Sequence, residues 1–371
     1  MHILHAEASP HWGGQEMRTL MDAVRCFRLG HRVTILARPE GALSQRARAA
    51  GLAVAPLRLG SPWDPRGIAA IARLIRSVGT EVVHTHSSAD AWAAGLAARL
   101  SGVGLVRTRH ISAPMGRRLL GRPLASPVYR LPEAIIATSA AIRDSLLELG
   151  VPPERLWVLP SGVDLEQFRP RPEGRSLRAG LGLEGEPVIT MVAMLRPEKR
   201  ADVFLAAASH LRPEFPQALF VLAGGGAEGD LATLRRLAER LGVSAAVRFL
   251  GHREDVPEIL AASDVCVLPS AGNDGIPQAV VQYLAMARPV VATPVGGIPE
   301  VIEEGRTGLL VRPNDPQGLA GSIAWLLRHP EQAKLMGQAG RRLVEERFDA
   351  DRVARQTLEI YERVLRGKRK R

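Results

Sequence analysis

The sequence predicts an α/β fold of two doubly wound domains, each a parallel sheet with helices on both faces. Short apolar runs alternate with segments of helical periodicity through the first half of the 371 residues, and the second half repeats this alternation. The alternation indicates parallel sheets, because parallel strands are joined by crossover helices. Residues 164–180, rich in proline and charge and without periodicity, mark the boundary between the halves.

The individual elements follow from length and periodicity. Apolar runs with the length of buried strands are residues 2–5, 32–37, 54–57, 81–84, 104–107, 134–137, 156–159, 188–192, 218–222, 247–250, 265–268, 289–292 and 308–311. Helical periodicity is clearest in residues 15–29, 139–149, 279–287, 315–327, 330–347 and 351–365. Each half is long enough to bury a core of its own.

Composition narrows the class of protein. Apolar residues make up 46% and charged residues 23%, as in ordinary globular proteins. Aromatic residues, at 4%, are too scarce for a base-stacking surface, which argues against nucleic acid as a partner. Cys26 and Cys266 lie in apolar segments and are interpreted as buried thiols of a reducing compartment. Without a signal-peptide pattern or an apolar run of roughly 18–20 residues, the sequence predicts a cytoplasmic protein, free or peripheral at the inner face of the membrane.

The net charge of +11 is unevenly distributed. Residues 1–169 hold 21 arginines, no lysine and 13 acidic residues, and the segment 99–130 carries seven of those arginines and no acid. We expect this segment and the basic tail 366–371 to face an anionic membrane or a phosphorylated substrate. In the membrane interface, the leucines of residues 115–124 would point inward and the arginines would lie at the headgroups. The alternative is solvated arginine in an arginine-preferring proteome, which the presence of only four lysines supports.

Three motifs receive a structural interpretation. Residues 224–229 match G-x-G-x-x-G, the fingerprint of dinucleotide binding. That fingerprint also needs an acidic residue at the end of the next strand, about 20 residues later, and no acid stands clearly there. We therefore predict a tight turn near a phosphate and not a dinucleotide oxidoreductase. Asp349 and Asp351 form a D-x-D that directly precedes a helix, which favours an N-cap role. His84 and His86 have metal-ligand spacing without an evident third ligand, so we expect satisfied polar groups at the rim and no metal site.

Two segments of the first half carry functional residues. Gly13 and Gly14 follow the first strand and open a helix, where their small size allows a charged ligand to approach backbone N–H groups. An ordinary turn needs only one glycine. His110 ends a strand at the carboxyl edge of the sheet, where an imidazole can bond a sugar hydroxyl or shuttle a proton.

The second half adds cations and an anion site. Arg196 and Lys199 follow its first strand, where a fixed cation stabilises a leaving diphosphate. Residues 270–282 run from a strand through a glycine-rich turn into a helix, whose first N–H groups form an anion site. In this segment we expect Asp274 to hold sugar hydroxyls and Gln282 to face a ribose.

In their order along the chain, these segments resemble a retaining glycosyltransferase of family 4 with the GT-B architecture. The resemblance covers nearly the full length. It rests on motifs that are weak singly and specific together, at residues 13–14, 30–33, 138–139, 151–155, 159–164, 195–199, 221–226, 249–251, 270–282, 295–300 and 308–311.

The resemblance implies an arrangement of domains. Two Rossmann-like parallel-sheet domains would face a central cleft, with residues 1–165 binding the acceptor and residues 166–348 binding the nucleotide-sugar. The C-terminal helix and basic tail, residues 349–371, would cross back to the first domain.

The resemblance also implies roles for residues. His110, Lys199 and Asp274 would be catalytic, no metal or other cofactor would be needed, and retention would proceed by front-face attack assisted by the leaving phosphate. The donor would be bound by Gly13, Gly14, Arg196, Lys199, Gly251, Asp274, Gly275, Gln278, Ala279 and Gln282.

The sequence departs from the family pattern in its charged residues. The family pairs two glutamates eight residues apart, where this chain has Asp274 and Gln282. Met194 occupies the slot of the family's arginine, and Arg196 is expected to substitute for it. A glutamine keeps both a donor and an acceptor for ribose hydroxyls, so the lost charge lowers donor affinity roughly tenfold without removing the mechanism.

The activity implied is transfer of a sugar from a UDP-, GDP- or ADP-linked donor to a hydroxyl of a glycan or lipid-linked acceptor. The setting would be bacterial cell-surface polysaccharide, lipopolysaccharide or glycolipid synthesis. Two alternatives stay open. A GT-B sugar-nucleotide epimerase would consume donor without acceptor, and a catalytically silent sugar-nucleotide-binding protein would explain Asp274 and Gln282.

Overall fold

The computed structural model describes residues 1–59, 61–110, 116–119, 122–171, 175–180, 185–272 and 275–369, with only the backbone at 116–119, 122–125, 175–177 and 228. The chain divides into two compact units. The first consists of Met1–Gly162 and Ala350–Arg371, and the second of Val163–Asp349. Asp274 lies outside the described residues.

Strands and helices alternate within the described residues. The strands are β1 His2–Glu7, β2 Arg32–Ala37, β3 Ala53–Pro56, β4 Val82–Thr85, β5 Gly104–Arg109, β6 Gly116–Leu119, β7 Arg122–Ala125, β8 Ala134–Ala137, β9 Leu156–Val158, β10 Val188–Val192, β11 Leu219–Ala223, β12 Val247–Gly251, β13 Val265–Leu268, β14 Val290–Ala292 and β15 Leu309–Leu310. The helices are α1 Gly14–Arg28, α2 Ala42–Ala49, α3 Pro65–Val78, α4 Ser88–Ser101, α5 Ala140–Glu148, α6 Arg175–Gly180, α7 Ala201–Leu211, α8 Glu228–Arg240, α9 Val256–Ala261, α10 Gln278–Ala285, α11 Pro316–Arg328, α12 Pro330–Arg347 and α13 Ala350–Arg369.

The first unit is built on a seven-stranded sheet in the order β3-β2-β1-β4-β5-β8-β9, in which every pair is parallel. Its strands are nearly continuous apolar runs, because helices cover both faces of the sheet. The strand order reverses between β1 and β4, which is where open parallel sheets form a ligand crevice at their carboxyl ends.

Helix α13 completes the first unit, as the sequence predicted for the C-terminal helix. It packs against α1 and β5. Tyr361 and Val353 on α13 are fully buried in the core that also contains Ile3 of β1. An ion pair between Arg25 of α1 and Asp351 fixes the start of α13, with a nitrogen-to-oxygen distance of 2.8 Å.

One element of the first unit was not predicted. β6 and β7 pair antiparallel as a separate two-stranded sheet. Their sequence is dominated by arginine, proline and leucine without an apolar alternation, so pattern alone gave no strand there.

The second unit contains a six-stranded parallel sheet in the order β12-β11-β10-β13-β14-β15. The order reverses between β10 and β13, so the loops after these strands flank the crevice position of this unit. Gly224 follows β11 with φ +157°, and a Cβ there would lie 1.7 Å from the Ala193 carbonyl oxygen. The close approach of two loops therefore explains this glycine without a dinucleotide.

Within the residues that the structure describes, we find no helix both long and apolar enough to cross a bilayer.

Candidate functional site

The loops at the carboxyl edge of the second sheet are tied to one another by hydrogen bonds. They follow β10, β11, β12, β13 and β14, and they include Arg196, Lys199 and Gly275 of the predicted donor-binding residues. Bonded loops hold their ligand groups in fixed positions, which binding sites require. In four of these bonds a backbone N–H donates to a backbone carbonyl: Leu195 to Gly225 (2.8 Å), Gly224 to Gly251 (2.8 Å), Ala271 to Glu198 (2.8 Å) and Gly297 to Gly275 (3.3 Å). In the fifth, the Thr293 hydroxyl donates to the Ser270 carbonyl (2.5 Å).

Lys199 is half-buried at the end of a short 3-10 turn that follows β10. The adjacent Arg200 is committed elsewhere, because its guanidinium binds both carboxylate oxygens of Asp202 at 2.7–3.3 Å. This hydrogen bonding lowers the pKa of Asp202 and raises the pKa of Arg200. Arg196 is exposed and lies 3.9 Å from Glu198, so the two cations predicted here differ in exposure.

The turn that carries Lys199 lies directly against the loop after β13. A Cβ on Gly272 would come within 2.8 Å of the Glu198 Cβ. A side chain at Gly272 would therefore separate the two segments, and this glycine is needed for their packing. The sequence named the glycine-rich turn but not this particular contact.

Helix α10 begins at Gln278, and its N-cap residue, Pro277, has no side-chain group to cap the first turn. Ala279 is the second residue of the helix, so both predicted N–H donors lie at the positive end of its dipole. Gln282 lies further along α10 and is 5% exposed. Its amide carries both a donor and an acceptor, which suits a ligand hydroxyl.

Tyr283 fixes the direction of α10. Its hydroxyl accepts a hydrogen bond from the Val192 N–H at 2.7 Å and donates to the Val192 carbonyl at 3.2 Å. Burial raises the pKa of this phenol well above its usual value, so the hydroxyl stays protonated and can donate. The sequence motifs did not indicate this residue. The available signal was a single aromatic residue in a helix of otherwise aliphatic and glutamine side chains.

In the first unit, Gly13, Gly14 and His110 all lie at the carboxyl edge of the sheet. Gly13 is the N-cap of α1 in an extended conformation, with φ −155°, and the helix begins at Gly14. His110 directly follows β5 and is partly buried. Its Nε2 lies 3.3 Å from Nδ1 of His86, the residue that directly follows β4.

His86 belongs to a cluster of buried imidazoles that the sequence did not reveal. His84 and His86 are 0% and 2% exposed, and thus lie within the core and not at an exposed rim. His5 of β1 completes the cluster, with its Nδ1 3.1 Å from Nε2 of His86. Strand pairing brings these residues together, since β1 and β4 are neighbours with His5 opposite His84. Sequence spacing cannot show such a partner.

The imidazoles are held neutral by their surroundings. Burial lowers the pKa of His5 to about 3, with a further contribution from the Arg18 guanidinium. Burial also lowers the pKa values of His84, His86 and His110 well below the usual range, and the positive charge of Arg18 acts in the same direction on each.

Two buried carboxyl groups support the same edge. Glu7 accepts hydrogen bonds from the Ser9 N–H at 2.9 Å and from the Gln15 amide at 2.6 Å, which ties the start of α1 to β1. Burial and the neighbouring Asp90 raise the pKa of Glu7 well above its usual value. Asp90 accepts from the backbone N–H of His86 at 3.0 Å, and burial raises its pKa to about 6.

The predicted site residues thus form one group in each unit. Gly13, Gly14 and His110 belong to the first sheet, and the remaining described ones belong to the second. Each group lies at the carboxyl edge of its own sheet or on the helix that follows. Such a placement is typical of ligand-binding residues in parallel α/β folds.

Two family models match the chain, one on each half. Residues 12–167 match Glycosyltransferase Family 4, and residues 186–329 match Glycosyl transferases group 1. The chain is 33% identical over 312 residues to alpha-maltose-1-phosphate synthase of Mycolicibacterium smegmatis, covering 76% of this chain and 79% of that protein. It is 30% identical over 311 residues to D-inositol 3-phosphate glycosyltransferase of Streptomyces bingchenggensis, covering 78% of this chain and 68% of that protein.

The structural neighbours agree on the fold. The crystal structure of Anabaena HepE in complex with UDP has a TM-score of 0.86 and 22% identity, and the match covers 98% of this chain and 100% of HepE. This likeness shows the GT-B fold that the sequence predicted. The protein is therefore a transferase of the glycosyltransferase class. Its chain belongs to the family 4, or group 1, glycosyltransferases, as the motif order indicated.

Proposed function

We propose that the protein is a retaining glycosyltransferase that moves a sugar from a nucleotide-sugar donor to a hydroxyl of a glycan or lipid-linked acceptor. The observation that carries the proposal is the set of hydrogen-bonded loops that surrounds Lys199 and the start of α10. HepE, which was crystallised with UDP and with UDP-glucose, supports a nucleotide-bound donor.

The second unit supplies the donor-binding groups in this proposal. Lys199 would neutralise charge on the leaving diphosphate, which is the step where a fixed cation contributes most. The N–H groups of Gln278 and Ala279 would bind a phosphate at the positive end of α10. Asp274 would hold sugar hydroxyls. The remaining donor contacts would come from Arg196, Gly251, Gly275 and Gln282.

Gln282 is assigned to the ribose because it lies on α10, the helix whose start would bind the phosphate. An amide can donate to one ribose hydroxyl and accept from the other. No metal is required in this scheme, since Lys199 and the helix dipole carry the charge neutralisation. Activity that survives treatment with a chelator would support this part of the proposal.

The first unit would bind the acceptor, with His110, Gly13 and Gly14 close to the reacting sugar. A phosphorylated acceptor is favoured, because two relatives are named for maltose 1-phosphate and inositol 3-phosphate. The excess of arginine in residues 1–169 also suits an anionic acceptor. A cavity of about 580 Å³ at the carboxyl ends of β2 and β3 is lined by Arg38 and Arg58 together with Glu40 and Asp64, so its lining is balanced in charge and does not itself favour an anion.

A thermal-shift panel of nucleoside diphosphates and their sugars, followed by a transfer assay with the best donor, tests the proposal. A ligand that binds only the folded protein raises its apparent stability. Lys199→Ala should reduce transfer by about 10²–10³, as expected for loss of a charge-stabilising group. The control is Lys334→Ala, which removes an exposed lysine on α12 and should leave transfer unchanged.

The rival activities give different results in the same assays. Isomerisation of the donor sugar without any acceptor would identify an epimerase. Nucleotide binding without hydrolysis or transfer, in wild-type protein, would identify a silent binding protein. Either result would contradict the proposed transfer reaction.

A further inference from the structure

Three histidines of the first unit form a continuous hydrogen-bonded chain that ends at His110. His5 Nδ1 lies 3.1 Å from His86 Nε2, and His86 Nδ1 lies 3.3 Å from His110 Nε2. The rings of His5 and His86 are nearly parallel, with an interplanar angle of 16° and centroids 5.4 Å apart. His86 therefore uses both of its ring nitrogens to connect the buried interior to the residue at the edge of the sheet.

The hydrogen bonds that link the three histidines can run in either of two directions. A neutral imidazole carries one N–H and one bare nitrogen, so each histidine donates at one end and accepts at the other. If His5 donates, the protons lie on Nδ1 of all three rings. If His110 donates, they lie on Nε2 of all three rings. The groups at the His5 end decide between these arrangements.

At that end, His5 Nε2 is buried and has no hydrogen-bond partner among the described residues. With the protons on Nε2, this atom would be a buried N–H donor without an acceptor, and such orphaned donors are rarer than unsatisfied acceptors. The positive charge of Arg18 also disfavours a charged His5, which keeps this ring neutral.

We infer that His5 and His86 are positioning residues that hold the proton of His110 on Nδ1. His110 then presents a neutral Nδ1–H to its ligand as a hydrogen-bond donor, while its Nε2 accepts from His86. Since Nε2 is occupied and Nδ1 already carries a proton, His110 does not take up a proton during the reaction. Its ligand atom is an oxygen with a free lone pair, such as a sugar hydroxyl or a phosphate oxygen.

This inference rests on the proposed placement of His110 beside the donor sugar. It also sharpens that role, because the sequence alone left open whether the imidazole bonds a hydroxyl or shuttles a proton. A fixed donor lowers the barrier by stabilising developing negative charge, and it requires that the tautomer be set in advance.

A metal ion is the competing explanation for the same cluster. Ligand atoms of His5, His84 and His86 all lie within 4.8 Å of one another. Both ring nitrogens of His84, however, are bonded, to the Tyr361 hydroxyl at 2.6 Å and to Thr108 Oγ1 at 2.7 Å. The neighbouring guanidinium of Arg18 would repel a second cation. The hydrogen-bonded chain uses the observed contacts as they stand, and metal binding would have to break them.

Imidazole ¹⁵N NMR of histidine-labelled protein tests the chain directly, because nitrogen shifts separate protonated from bare ring nitrogens. We expect His5, His86 and His110 to carry their protons on Nδ1 in the wild-type protein. His86→Asn should release His110 to a mixture of tautomers. His5→Leu, which leaves His86 and its bond to His110 in place, should do the same to a smaller degree.

His2→Gln is the matched control. His2 is a buried histidine on the same strand, and it bonds Val78 and Thr34 instead of the cluster. Its replacement should leave the tautomer of His110 unchanged. A change as large as that of His86→Asn would mean that any cavity in β1 disturbs His110, and would overturn the inference.

Kinetics add a second readout. His86→Asn should lower kcat about tenfold, the factor corresponding to one net hydrogen bond, with the donor KM within about twofold. A purely structural role would lower the amount of folded protein instead. Nε2 protonation in the wild-type protein, or a stoichiometric metal ion lost in His86→Asn, would overturn the inference. Unchanged transfer in His110→Ala would remove the proposed placement of His110 beside the donor sugar. Absence of transfer in the wild-type protein would remove the proposed function, while the NMR result on the three histidines would stand.

Discussion

The Tyr283 hydroxyl binds both backbone groups of Val192, accepting from its N–H at 2.7 Å and donating to its carbonyl at 3.2 Å. Val192 is the last residue of β10, and Tyr283 lies next to Gln282 on α10. One phenol thus connects the helix proposed to bind the nucleotide with the strand that leads to Lys199.

Removing that hydroxyl should weaken both stability and nucleotide binding. Tyr283→Phe leaves the Val192 N–H without its partner at a buried position, which costs about 1–3 kcal/mol of unfolding free energy. Denaturant unfolding measures this loss, and nucleotide titration should show weaker binding. Tyr129→Phe is the control, because Tyr129 is also a buried tyrosine but lies in the first unit, away from α10. Equal losses in the two variants would contradict the role given to Tyr283.

Gln282→Glu should strengthen donor binding about tenfold, because a hydrogen bond to a charged acceptor is worth roughly 1.5–3 kcal/mol against roughly 0.5–1.5 for a neutral one. The same change should lower the melting temperature of the free protein, since the position is buried. The donor KM and the ligand-free melting temperature measure the two effects. An unchanged KM would show that Gln282 does not contact the donor.

Acid should destabilise the first unit through its buried histidines. Because the pKa of His5 in the folded protein is about 3, the unfolded chain binds more protons below pH 6.5. Stability from this group is therefore complete above about pH 6.5 and is lost as the pH falls towards 3, by about 2 kcal/mol at pH 5. The raised pKa of Asp90, about 6, acts in the opposite sense between about pH 4 and 6.

Comparison of variants separates these opposing contributions. His5→Gln removes the histidine contribution and keeps Asp90. The difference in unfolding free energy between wild type and variant should shrink by about 2 kcal/mol from pH 8 to pH 5. Urea unfolding at both pH values measures it. A difference that stays constant with pH would mean that His5 titrates normally in the folded protein.

The basic segment 99–130 and the tail 366–371 should bind anionic surfaces, although Arg107 and Arg109 of the segment are buried and, contrary to the sequence expectation, do not contribute. Vesicles that contain phosphatidylserine should retain the protein in a flotation assay at low salt, and neutral vesicles should not, because the attraction is electrostatic. Binding to the anionic vesicles should fall as salt is raised. Equal binding to both kinds of vesicle would remove the proposed membrane contact.

Much of the fold could be predicted because buried parallel strands have nearly continuous apolar sequences. β2, β8, β10 and β13 have the predicted bounds, and others shift by a residue or more where a polar residue continues the strand, as Arg109 does in β5. The β6–β7 hairpin was missed since its pairing depends on tertiary context.

The candidate sites were predictable where a motif is local. Gly13 and Lys199 lie in the loops that follow β1 and β10, at the carboxyl edges of their sheets. The His5–His86 contact could not be predicted, because it depends on the register between β1 and β4, which are separated by 74 residues of chain. Tyr283 on α10 was missed for the same reason, because its partner is a backbone group of the distant strand β10.

Helix α13 has a consequence for biosynthesis. The second unit is continuous from Val163 to Asp349, whereas the first unit needs residues that are translated after it. Domains fold as units while the chain is made. The second unit can complete its core first. The first unit cannot close its core until Tyr361 emerges to bond His84. Its apolar sheet face therefore stays exposed during synthesis, and we expect this face to need chaperone protection.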